Sequence, residues 1–232
     1  MNKKLLITSL SILALTISGV SLASAKTGLA IGVSAGFQNY ITNLQPSNVN
    51  TRIKPNGNFN VNGILGYDYA LNNNLSIGLE TGVGYTNAIA GGEQGPVNKP
   101  EDIESWNENQ LQVPVLATVK YYLPVLDNNI SVFGKFGYSY VRQQAKSNGT
   151  PAMGELVSAA NYTKWLPTLA AGLGYNIYNF NVFTEYTYVM GSTPSSNNSI
   201  PSNIENGGER SDHTVFSSGA VTVGVTYTFA IN

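Results

Sequence analysis

Charged side chains are almost absent from the strand-like parts of this sequence, and the few that occur there are the first candidates for chemistry. They are Asp68, Glu80, Lys120, Lys135 and Glu185. Each stands among small or polar residues that alternate with apolar ones. Glu80, Lys135 and Glu185 lie at the same distance from the start of their segments, which predicts similar depths. Because an isolated buried charge is costly, these acids and bases should form ion pairs in a closed interior.

A second candidate for chemistry is His213, the only histidine, which stands beside Asp212 and near Ser217 and Ser218. A Ser/His/acid set could hydrolyse a lipid or a peptide. No nucleophile is marked, however, so a polar loop residue is the better interpretation and we predict no catalytic residue. No histidine pair or acidic loop has metal-ligand spacing, so we predict no metal and no cofactor.

A third candidate is Trp106, which lies in an acidic stretch within residues 86–109. One interpretation is a solvated loop that avoids anionic lipopolysaccharide. The other is a contact surface, in which an exposed tryptophan is the anchor. The sequence favours neither.

Eight alternating segments must position these residues. Each has an apolar face and a face of Gly, Ser, Asn and Thr, which is a strand signal. Each is about ten residues long, whereas ordinary strands average about 5–6 and tilted membrane-spanning strands need about 9–11. The segments are residues 27–39, 58–69, 75–86, 110–121, 130–140, 165–176, 180–190 and 217–229.

The connections alternate between short and long. Short turns on one side and long loops on the other are typical of an outer-membrane barrel with its short turns in the periplasm. The short connections are 70–74, 123–129 and 177–179, and the long ones are 40–57, 86–109, 143–163 and 191–214.

Aromatic residues gather at the ends of the segments, which predicts two girdles at the lipid–water interfaces. The girdle near the short turns contains Tyr67, Tyr69, Tyr121, Tyr175, Tyr227 and Phe229, and the girdle near the long loops contains Phe37, Tyr85, Trp165 and Tyr188.

Composition supports a membrane protein. Residues 1–25 have a basic start, an apolar run and an Ala-Ser-Ala end, which predicts a cleaved secretory signal peptide before a barrel domain of residues 26–232. The charged fraction is 11%, where about 25% is usual for soluble domains. The chain has no cysteine, and its slight negative charge gives no case for nucleic acid.

Together these patterns predict an all-β fold, an eight-stranded antiparallel up-and-down transmembrane β-barrel. The alternative, a soluble β-sandwich, is disfavoured by strand length and missing surface charge. In so narrow a lumen the charges have two interpretations, a plug that fixes the register or an ion gate. The plug is favoured because eight strands leave little more than side-chain room.

The stretches "QVPVLATVKYYLP", "FGKFGYSY" and "GVTYTF" appear in this order along the chain. In them the sequence resembles the small eight-stranded outer-membrane barrels, the OmpA-like and opacity-type surface antigens. The resemblance implies a monomer in the cell outer membrane, surrounded by lipid and lipopolysaccharide, and assembled through its C-terminal strand by the barrel-assembly machinery.

The expected function is that of a non-enzymatic surface protein. Its barrel would support four long extracellular loops that act in envelope integrity or in contact with a host or environmental ligand. The alternatives are a narrow gated pore and, more remotely, an outer-membrane lipid-modifying enzyme.

Overall fold

A computed structural model describes most of the chain beyond the predicted signal peptide, and its regular structure is nine antiparallel β-strands. The described residues are 25–41, 52–53, 58–94, 104–124, 129–148, 159–191, 215 and 217–231. The strands are β1 Gly28–Tyr40, β2 Arg52–Ile53, β3 Phe59–Asn72, β4 Leu75–Gln94, β5 Glu104–Tyr122, β6 Ile130–Asn148, β7 Ala159–Ile177, β8 Phe180–Val189 and β9 Ser218–Ala230. Within these ranges no helix is long and apolar enough to cross a membrane.

Eight of the strands close into a barrel. Each pairs with its neighbours along the chain, β1 pairs with β9, and a β4–β5 ladder completes the ring. The two-residue β2 adds to the outer end of β4. All eight predicted segments are barrel strands, so the predicted eight-stranded antiparallel barrel is confirmed and the sandwich alternative is wrong.

Along each strand, successive side chains alternate between the lipid side and the lumen, as the sequence pattern predicts. On β4, Leu79 is 67% exposed on the outside, whereas Ser76 is completely buried inside. The small and polar residues of every strand therefore form the core, and the apolar ones form the outer wall. A closed barrel suits this pattern because every backbone group in lipid needs a partner, and closure leaves no edge.

Two of the expected long loops are shorter than the sequence suggested. β4 continues to Gln94, and β5 already begins at Glu104. In the same way, β6 continues to Asn148, and β7 begins at Ala159. The prediction that residues 86–109 and 143–163 are loops is therefore wrong for most of their length. Apolar alternation stops where the chain leaves the membrane, but backbone pairing continues, so the pattern underestimates the strands.

The β4–β5 ladder is interrupted near its middle at Pro114, in addition to a register shift between Thr86 and Ala90. Thr81 pairs with Val115, and Gly84 pairs with Gln112. Gly82 and Val83, between them on β4, have no paired residue on β5. Proline has no N–H to donate. The Thr81 hydroxyl compensates in part by donating to the Pro114 carbonyl at 2.7 Å.

We expect Pro114→Val to raise the free energy of unfolding by about 1 kcal/mol, because a new N–H can reach the Gly82 carbonyl in a water-poor wall. Urea unfolding of the barrel in lipid vesicles measures this. The control is Pro124→Val, because Pro124 lies beyond the end of β5 and outside its ladders with β4 and β6. An equal gain in both variants would contradict this explanation.

Candidate functional site in the barrel lumen

The centre of the lumen holds a three-residue charge cluster. Lys135 Nζ lies 2.6 Å from Glu80 Oε1 and 2.6 Å from Glu185 Oε2. The three residues come from β6, β4 and β8, so the cluster bridges alternate strands across the barrel. Lys135 donates a hydrogen bond to Glu80, whereas Glu185 Oε2 is an ion-pair partner without hydrogen-bonding geometry. The Thr187 hydroxyl donates to the other oxygen of Glu185 at 2.8 Å.

Two aromatic rings form the periplasmic side of this cluster. Phe133 and Phe183 face the lumen with an edge-to-face contact, their ring centroids 6.1 Å apart. Lys135 Nζ lies 5.2 Å and 5.7 Å from the two centroids, within the range of a cation–π contact. Sequence reasoning missed both rings. The signal was available, because Phe133 lies two residues before Lys135 and therefore shares its face.

A second ion pair lies nearer the periplasmic end. Lys120 Nζ is 2.5 Å from Asp68 Oδ2, and both side chains are largely buried. At the same end, Lys26 donates to the Tyr178 carbonyl and to Asn179 Oδ1, each at 2.7 Å. This contact ties the start of β1 to the β7–β8 turn. The lower lumen thus contains one balanced ion pair, and Lys26 links its periplasmic end to the β7–β8 turn.

The outer half of the lumen is filled by side-chain amides and hydroxyls. Gln38 donates to Ser218 at 2.9 Å and accepts from Asn60 at 3.1 Å, and Gln143 donates to Gln110 at 3.0 Å. Beside this polar layer, an apolar cluster seals the β6–β8 side. It contains Val141, Leu166, Val189 and Val215, all at most 3% exposed.

A small polar cavity lies between the charge cluster and the outer polar layer. Its volume is about 50 Å³, which is room for a few waters or one ion with its waters. Both glutamates of the cluster contribute to its wall. Among the lining residues are Glu80, Glu185, Asn62, Gln112, Thr187 and Thr222.

The aromatic residues lie toward the two ends of the outer wall. Phe180, Tyr227 and Phe229 are in edge-to-face contact near the short turns, and Tyr140 and Trp165 are in contact near the long ones. Phe59 begins β3 and Tyr69 lies near its other end. The two residues are about 33 Å apart along the strand and about 25 Å apart along the barrel axis at a tilt of about 40°. The ten girdle candidates range from half-buried to 63% exposed: Tyr67, Tyr69, Tyr121, Tyr175, Tyr227, Phe229, Phe37, Tyr85, Trp165 and Tyr188.

The candidates outside the lumen are Trp106 and the residues around His213. Trp106 lies on the outer part of β5, where its backbone pairs with Gly92 and Ser147. His213 and Asp212 lie outside the described residues. The two neighbouring serines are buried in structural contacts, because Ser217 Oγ accepts from Gly191 N–H and Ser218 accepts from Gln38. In the described part of the chain, no three His, Cys, Asp or Glu residues could hold a metal ion.

The family comparison agrees with this geometry. The model of the outer membrane protein beta-barrel domain matches residues 5–229. The comparison with curated proteins finds no match.

Solved structures share the architecture at low identity. A major outer membrane protein from Thermus thermophilus has a TM-score of 0.50 and 13% identity, covering 88% of this chain and 99% of its own. The attachment invasion locus protein Ail of Yersinia pestis has a TM-score of 0.45 and 15% identity over the same shares. Neisserial surface protein A has a TM-score of 0.41 and 12% identity, covering 88% and 98%. At 13% identity the likeness to the Thermus thermophilus protein shows the fold alone.

Proposed function

The chain belongs to the outer membrane protein β-barrel family and is located in the outer membrane, and from this premise we propose that it is a non-enzymatic surface protein. Its barrel anchors an extracellular β-sheet that contacts a host or environmental ligand. Its lumen is a plug that keeps the wall closed to solutes.

The observation that carries the proposal is the unequal height of the strands. β8 stops at Val189, which pairs with Thr168 of β7. β7 continues outward to Ala159 and stays paired with β6. Residues 159–167 therefore extend about 30 Å along the strand beyond β8. β4, β5 and β6 rise with it, so a four-stranded sheet stands above one side of the rim.

This sheet is suited to contact a partner. Its strands are continuous with the barrel, so they are held rigidly, and binding residues on rigid elements lose little entropy on association. Among the described residues, no strand pairs with residues 159–166 on the side away from β6. An unpaired strand edge offers backbone donors and acceptors to an extended peptide.

The filled lumen supports a plugged barrel rather than a pore. Lys135 is 5% exposed between its two carboxylates, and polar and apolar layers lie outside it. We expect the purified barrel in a planar lipid bilayer to give no stable current steps. Salt-dependent steps would favour the gated pore instead and would contradict the plug.

The contact proposal is tested by shortening the sheet without touching the barrel. A short turn replaces residues 88–108 in one variant and residues 146–159 in another. We expect at least a tenfold loss of adhesion when a laboratory Gram-negative strain producing the variant is compared with the same strain producing the wild type. Adhesion is counted on epithelial monolayers and on extracellular-matrix coatings.

Two controls keep this test specific. The folded barrel is quantified in the outer membrane of each strain, so that a loss of adhesion is not a loss of protein. Trp106→Ala tests the tryptophan of the sheet, and Trp165→Ala in the outer wall is its matched control. Wild-type adhesion by both shortened variants would overturn the proposal.

A further inference from the structure

The charges in the central lumen do not balance. Among the described residues, the inward-facing charges at this depth are Glu80, Glu185 and Lys135, two negative groups against one positive. The lower pair of Asp68 and Lys120 balances itself. A buried charge without compensation is strongly unfavourable, so the excess negative charge needs a partner.

The excess charge is directed toward the polar cavity. Phe133 and Phe183 occupy the periplasmic side of Lys135, so the ammonium is enclosed there by rings rather than by oxygen atoms. On the opposite side, both carboxylates line the cavity of about 50 Å³. The cavity therefore offers room for a counter-charge on that side.

A buried hydroxyl independently points into the same cavity. Thr222 is 3% exposed and lines it, and Thr222 lies opposite Glu185 in the β8–β9 ladder. Its Oγ1 has no hydrogen-bond partner among the described residues. Buried polar side chains nearly always have a partner. The unpartnered hydroxyl therefore indicates that the cavity holds a ligand which oxygen atoms bind.

We propose that this cavity binds one monovalent cation, sodium or potassium. The lining offers carboxylate, hydroxyl and amide oxygens, which are the ligands that hard cations prefer. One positive charge balances the cluster, whereas a divalent ion would leave a positive excess. The cavity is large enough for an ion with a few waters. The site rests on the charge count and the cavity, and it does not depend on the proposed contact function.

The test is cation-dependent stability of the folded barrel. An ion that binds only the folded state raises the unfolding midpoint with its concentration. We expect the thermal midpoint in detergent micelles to rise with sodium or potassium chloride, and not with choline chloride at the same ionic strength. Crystals soaked in thallium or rubidium should show an anomalous peak between Glu80 and Thr222. Equal midpoints in all three salts, or the absence of the peak, would overturn the proposal.

Variants separate binding from a general loss of stability. Glu185→Gln removes the excess negative charge but leaves the ion pair between Lys135 and Glu80 intact. We expect the unfolding midpoint of this variant to be independent of sodium or potassium. Thr222→Val keeps the shape but removes one oxygen, and we expect about tenfold weaker binding. Thr228→Val, on the same strand nearer the periplasm, is the matched control and should keep the wild-type response.

A shared proton is the competing explanation for the charge excess. It would produce a carboxylic-acid band in the infrared spectrum at neutral pH that Glu185→Gln or Glu80→Gln removes. If this band is present and the unfolding midpoint does not respond to sodium or potassium, a proton rather than a cation balances the charge, and the proposed site is wrong.

Discussion

Replacing Lys135 by methionine should lower the free energy of unfolding by about 3–5 kcal/mol, the largest effect we expect from a single side-chain change. Methionine has a similar length and adds no polar group, so packing against Phe133 and Phe183 is retained. What is lost is the partner of Glu80 and Glu185, which lie 2.6 Å from Nζ. Two buried carboxylates would then face the same small cavity without compensation. Urea unfolding in lipid vesicles at fixed sodium concentration measures the change.

Two further variants decide whether charge causes this loss. The triple variant Lys135→Met, Glu80→Gln and Glu185→Gln removes all three charges, and replacing a complete buried network by neutral groups can be nearly neutral. We therefore expect it to recover most of the lost stability. Lys164→Met, an exposed lysine on β7, should change the free energy of unfolding little. If the triple variant is as unstable as the single one, packing rather than charge is responsible.

The placement of this cluster follows from the sequence because three simple regularities combine. Strand residues alternate faces, up-and-down strands keep their neighbours, and Glu80, Lys135 and Glu185 occupy equivalent positions in their segments. These rules bring the three side chains to one depth without knowledge of the final coordinates. The rules do not specify which atoms meet, because that depends on the stagger of the ladders around the barrel.

Other features of the barrel could not be predicted from the sequence, and the physical reasons differ. Phe133 and Phe183 escape prediction because aromatic residues in a membrane barrel are expected on the lipid face, and these two face the lumen. The outer parts of β4 to β7 resemble loops in sequence because the apolar pattern ends with the membrane. Backbone hydrogen bonds, which continue the ladders, leave no mark in hydropathy.

Adding a single methyl group at Gly36 should be nearly as damaging as losing Lys135. A Cβ on Gly36 would overlap the carbonyl oxygen of Val221 and would lie 2.7 Å from the Cα of Thr222. These are backbone atoms of the neighbouring strand, so no side-chain rotation relieves the overlap. β1 and β9 would have to separate where they close the barrel. We expect Gly36→Ala to lower the free energy of unfolding by about 2–3 kcal/mol and to reduce the folded yield.

Gly134→Ala is the matched control, because it makes the same chemical change on another barrel strand. A Cβ there would meet nothing closer than the Ala170 carbonyl oxygen at 4.0 Å. Since alanine also restricts the unfolded chain, this variant should be neutral or more stable by up to about 1 kcal/mol. Urea unfolding and the fraction that resists heat denaturation on a gel measure both variants. If both variants lose the same amount of stability, backbone flexibility rather than close approach of the strands explains the need for glycine at position 36.

The contrast between these two glycines explains why one face of β1 is so small. Gly36 lies opposite Thr222 in the β1–β9 ladder, and Thr222 shares the central cavity with Glu185. A larger residue at position 36 would push β9 away and move Thr222 from the carboxylates. The glycine therefore permits the close approach of β1 and β9 beside Thr222, which lines the cavity. If so, Gly36→Ala should also weaken the cation response, whereas Gly134→Ala should leave it unchanged.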